Sequence, residues 1–184
     1  MKKLFNISLL LLAAVLLFSC RDGNNDIPED IHEHEEIGKV VVKVINKSNG
    51  EEQTVNVVDG KAVEHLHLHQ GDTYAVSLDF QIKHEDHYHS SDEIEKEKDM
   101  HFITYKFAGA DIKVKRAADD LVRTDGKKLG LKTEWTIATA AAGKANITLV
   151  HGPTSVNDNF PSVDNQQGST VGGESDVDIF IDFH

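Results

Sequence analysis

The chain has 184 residues, of which 27% are charged, and a formal net charge of −12. That length is about one domain, and so acidic a surface repels phosphate backbones, which excludes nucleic acid as an expected partner. A single cysteine excludes a disulfide framework.

Met1-Lys2-Lys3 is a short basic start, followed from Leu4 to Phe18 by an almost uncharged apolar run. The run is shorter than the roughly 20 residues of a membrane span and has the length and flanks of a secretory leader. It closes on Ser19-Cys20, which resembles the lipobox of bacterial lipoproteins. The resemblance implies a signal peptide over residues 1–19, lipidation of Cys20 and attachment to a membrane through acyl chains. No thiolate then remains for a metal. Loss of Lys2 and Lys3 takes the net charge from −12 to −14. Residues 20–37 form the lipidated cysteine and an acidic flexible tether, which carries His32 and His34.

From Gly38 onward short runs of period-2 alternation are separated by Gly, Asn and Asp, so residues 38–184 are expected to form one domain. GKVVVKVIN and EQTVNVV are followed by a histidine strand, VEHLHLHQ, and by DTYAVSLDFQIK, in which Tyr74, Val76, Leu78, Phe80 and Ile82 share one parity. If QGD is a turn, the last two make a hairpin. Ser90 with Glu93 reads as a capping box for one short helical segment near 91–99. HFITYKF, DIKVK, LGLKTEWTI, KANITLVH and DVDIFIDF follow as strands, with a long loop over 153–175. The pattern predicts an all-β fold, an antiparallel immunoglobulin-like β-sandwich of about nine strands.

Nine of the eleven histidines lie between His32 and His101. On a strand, i and i+2 side chains point the same way from Cα atoms roughly 6.8 Å apart, whereas i and i+4 stand roughly 13 Å apart. His67 can therefore share an ion with His65 or with His69, but all three cannot share one along a straight strand. His84, His87 and His89 supply further ligands, and the expected hairpin favours His65 or His67 meeting the 84–89 loop. His101 shares parity with Ile103, Tyr105 and Phe107 and lies four residues after Glu97. A helix reaching that far makes Glu97 and His101 second-choice ligands. His151 shares parity with Ile147 and Leu149 and reads as a structural histidine. Imidazole with carboxylate suits Zn2+, with Cu2+, Ni2+ and Co2+ also compatible.

The His-x-His alternation resembles the strand of copper–zinc superoxide dismutases, but that family's disulfide cannot form here and its later ligand loop has no counterpart. The chain carries no G-x-S-x-G, no HExxH and no phosphate loop, so no enzyme activity is expected. Glu35-Glu36-Ile37, the acidic segment Glu93 to His101, Leu149-Val150-His151-Gly152-Pro153 and Gly173-Glu174-Ser175-Asp176-Val177 together resemble a family of Bacteroidetes-type β-sandwich lipoproteins. That resemblance covers most of the mature chain and implies an outer-membrane location. It also implies partnership with an energy-coupled, TonB-dependent receptor. The HLHLH and HEDHYH clusters are not part of the shared pattern. Two functions are therefore in view: a cell-envelope lipoprotein that captures, buffers or delivers a divalent metal, and a non-enzymatic interaction or adhesion lipoprotein without a metal site.

Overall fold

The computed structural model describes residues 36–139, 142–161 and 166–184. The segment read as a leader, with Cys20, His32 and His34, lies outside the described residues. Alternation dictates the first three long strands. In β1 (Ile37–Asn46), β2 (Glu52–Val58) and β4 (Thr73–His84) every second residue is buried along most of the strand. Val40, Val42 and Val44 on β1 thus share an interior face with Tyr74, Val76, Leu78, Phe80 and Ile82 on β4. β1 pairs antiparallel with both β2 and β4. Asn46 shapes the turn after β1, its Oδ1 accepting from the Ser48 amide at 2.8 Å.

The sheet continues through β5 (His87–Ser90), β6 (His101–Ala108), β7 (Ile112–Arg116), β8 (Lys132–Ile137), β9 (Gly143–His151), β10 (Ser155–Pro161), β11 (Gln166–Val171) and β12 (Glu174–Phe183). One further short strand, β3 (Lys61–Ala62), pairs antiparallel with β2 and parallel with β12. It joins two antiparallel halves into one twelve-stranded sheet, ordered β10-β11-β6-β9-β12-β3-β2-β1-β4-β8-β7, with β5 hairpinned onto β4. The fold is all-β. Where alternation led us to expect about nine strands, the loop expected over 153–175 holds the β10–β11 hairpin and HEDHYH turns back as β4–β5.

The sheet curls until it nearly closes. Trp135 on β8 and Tyr105 and Phe107 on β6 lie far apart in the strand order, yet their rings meet edge-to-face at 5.8 and 4.9 Å. Arg116 at the end of β7 reaches across the open seam to the Ile103 carbonyl of β6 at 2.7 Å and stacks on Phe102. Burying each large apolar side chain of this interior stabilises the fold by about 1.5–3 kcal/mol. The single helix among the described residues, α1 (Glu93–Lys96), is one turn long. Its N-cap is Asp92 without a side-chain cap bond, so the Ser90–Glu93 capping box does not form. The helix ends before His101, which begins β6.

Candidate metal centre

The histidine segment does not form a hairpin with β4. β4 pairs with β1, β5 and β8, and residues 63–69 run instead beside the end of β12. Leu66 makes an isolated parallel bridge to Phe183. Its amide donates to the Asp182 carbonyl at 3.0 Å, while its own carbonyl accepts from the His184 amide at 3.0 Å. The Leu68 amide donates to the His184 carbonyl. On the other flank Gln53 of β2 imitates a strand partner: its Oε1 accepts from the His67 amide and its Nε2 donates to the His67 carbonyl, both at 2.8 Å. Leu66 and Leu68 are buried in the core, and the alternation leaves His65, His67 and His69 exposed.

This arrangement sets the rings of His65 and His67 at 4.9 Å between centroids, consistent with their i, i+2 spacing. The third member is His184, whose ring lies 4.4 Å from that of His65 and 4.3 Å from that of His67. One donor nitrogen from each falls within 4.8 Å of the others. His69 is not a member of this group; its amide is held by the Tyr74 hydroxyl. Crowding of the His184 ring, which displaces water, together with the neighbouring His67 and His65 imidazoles, holds its pKa below the usual histidine value. A neutral imidazole is the ligand form.

His84, His87 and His89 form a second group at the β4–β5 hairpin. His84 pairs directly with His87, and Glu85 in the turn adopts φ +55°. Ring centroids are 5.7, 6.1 and 6.3 Å apart, a wider set than the first. Next to it a groove of about 360 Å³ is lined in part by Glu36, Asp59, His84 and His89. The expected meeting of His65 or His67 with this hairpin does not occur, because the segment that carries them pairs with β12.

His101 belongs to neither group. It is 3% exposed, and its Nδ1 donates to the main-chain carbonyl of Glu97 at 3.1 Å. What Glu97 brings to His101 is therefore a carbonyl after the helix, since the helical face that would have aligned the two side chains is absent. Burial pushes the His101 pKa down.

No family model, curated protein or solved structure matches this chain. The geometry of the histidines is thus the ground for a functional reading. No helix among the described residues is long and apolar enough to cross a membrane. Sequence reasoning missed His184, whose only signal was its parity with Asp182 on the outward face of the closing strand.

Proposed function

We propose that this protein is a cell-envelope lipoprotein that captures a divalent transition metal, zinc foremost, at His65, His67 and His184. The observation that carries the reading is the convergence of three exposed imidazoles, one donor from each within 4.8 Å of the others. Their side chains stand on a scaffold fixed by buried leucines, by Gln53 and by the β12 main chain. Three imidazoles leave a tetrahedral ion one open position, and the ligands are solvent-facing, so the ion can enter and leave. That suits capture, buffering or delivery better than permanent structural binding. The net charge of −12 raises the local cation concentration.

Cys20 at the end of an apolar leader supports lipid anchoring in the cell envelope. The likeness of the tether and closing strand to Bacteroidetes-type β-sandwich lipoproteins supports placement at the outer membrane and delivery to a TonB-dependent importer. The His84, His87 and His89 hairpin, with the wider spacing, serves as an auxiliary set of ligands, and His32 and His34 as a recruiting arm. The role is binding rather than catalysis.

Zinc titration calorimetry on the metal-stripped, tag-free protein tests the reading. Stoichiometric submicromolar binding, lost when His65, His67 and His184 become alanine, is the expected result. Weak binding unchanged by those substitutions would overturn it and leave the interaction or adhesion role.

A further inference from the structure

We infer that His101, His151 and Asp176 form a second divalent-metal site at one end of the barrel, built from β6, β9 and β12, with His101 buried, His151 half-buried and Asp176 exposed. It stands whether or not the exposed triad binds, because the two share no residue.

The strand register assembles it. His101 at the start of β6 pairs directly with His151 at the end of β9. Both follow the parity of the interior residues Ile103, Tyr105, Ile147 and Leu149, His101 being buried and His151 half-buried at the rim. Asp176 on β12 is the extra residue of a β-bulge, between Ser175 opposite Val150 and Val177 opposite Leu149. A bulge releases one side chain from strict alternation and re-aims it. Here Asp176 is aimed at the two imidazoles. The preceding Gly173, at φ +86°, allows that approach: a Cβ there would stand 2.7 Å from the His151 carbonyl oxygen.

The donor atoms form a nearly regular triangle. His151 Nδ1 lies 3.2 Å from His101 Nε2, and Asp176 Oδ2 lies 3.6 Å from His101 Nε2 and 3.5 Å from His151 Nδ1. A point equidistant from the corners of a triangle with these sides, 3.2, 3.5 and 3.6 Å, is about 2.0 Å from each. That is the Zn–N and Zn–O bond length. Two imidazoles and one carboxylate are also a donor set that zinc and its borderline neighbours accept.

Proton bookkeeping points the same way. The Glu97 carbonyl can only accept, so His101 Nδ1 carries the ring proton and Nε2 presents a lone pair to the centre. A single N–H from His151 Nδ1 can satisfy that lone pair or the Asp176 oxygen, and the other faces a second lone pair. A cation at the centre satisfies all three. The Glu97 carbonyl also performs the task of an outer-shell partner, fixing the tautomer and the ring. Arg123 donates to the carbonyls of Lys98 and His101 and fixes the start of the strand. An ion bound here would tie β6, β9 and β12 together, with His101 on its buried side and Asp176 on its solvent side.

The test uses tag-free protein in which His65, His67, His184, His84, His87 and His89 are all alanine, titrated with Co2+ as a spectroscopic stand-in for zinc. We expect one equivalent of Co2+ to give visible ligand-field bands that zinc abolishes. Asp176→Asn or His151→Ala should weaken this binding at least about 100-fold. Zinc at about 100 times its Kd should raise the melting temperature of the sixfold variant by about 5–10 °C. Imidazole nitrogen spectra of the unsubstituted protein need no variant to fold: zinc should move the resonances of His101 Nε2 and His151 Nδ1. Absence of the bands, Co2+ binding that survives both further substitutions, or nitrogens that zinc does not move would each overturn the site and leave a hydrogen-bonded cluster.

Discussion

Replacing His184 by alanine separates the triad seen in the structure from the histidine strand that the sequence alone suggests. Three rings with centroids 4.3–4.9 Å apart already place one donor each within 4.8 Å. Tetrahedral zinc with bonds of about 2.0–2.1 Å wants its donors about 3.3–3.4 Å apart. The rings must therefore close by at most about 1.5 Å, a movement that exposed side chains make by rotation. Removing a partner that merely orients a ligand costs 10–100-fold in affinity, and removing the ligand itself costs at least that. His184→Ala should therefore weaken zinc binding by at least about 10–100-fold, or about 1.4–2.7 kcal/mol. His69→Ala should change it less than about twofold, because His69 is not one of the converging ligands. Competition against a chromophoric zinc chelator measures both on metal-stripped protein. If His184→Ala binds as tightly as the parent, or His69→Ala costs as much as His67→Ala, the reasoning from ring geometry is refuted.

Gln53→Ala removes both bonds that hold the His67 main chain; it should weaken zinc about tenfold, and an unchanged affinity in the same competition assay would show that the β12 side alone positions the ring. Affinity should fall as the pH drops from about 7.5 to about 5.5, because protons then compete with the metal for the imidazoles. His184, held below the usual value, is still neutral where that fall begins; a flat profile between pH 7.5 and 5.5 would argue against imidazole ligands. Leu66 is 0% exposed, so Leu66→Ala should cost about 2–5 kcal/mol of stability by denaturant unfolding. His67→Ala, one residue on and exposed, should stay within about 0.5 kcal/mol. Equal costs would mean that the alternation does not separate anchoring from binding.

The fold was legible wherever a strand has one wet face. Tyr74, Val76, Leu78, Phe80 and Ile82 are all buried, as their parity requires. Alternation reads burial but not pairing, so it could not tell that the HLHLH segment lies beside β12 instead of β4. The deciding contacts are a parallel bridge, Leu66 to Phe183, and a side chain, Gln53, acting as a strand edge. Neither leaves a local signal, since parallel neighbours come from distant parts of the chain. The β10–β11 hairpin was hidden for a different reason: its Pro, Gly, Asn and Ser content resembles that of a loop.

The histidines show where local pattern and chemistry part. Spacing identified His65 and His67 because ligands two apart on an extended segment face one way. It also grouped His84, His87 and His89, which the β4–β5 turn brings onto one face. The third ring of the exposed triad, His184, comes from a strand more than a hundred positions away and could be found only once the main chain of β12 was paired with Leu66 and Leu68. The second triad is harder still. Parity reads His101 and His151 as core or rim residues, and the structure buries His101 and leaves His151 half-buried. Their carboxylate partner is invisible to parity because a bulge breaks the alternation at Asp176. An irregularity that strand reasoning treats as noise is what turns two paired histidines into three converging donors. The same physical fact explains why Asp176 was missed and why it is placed to bind.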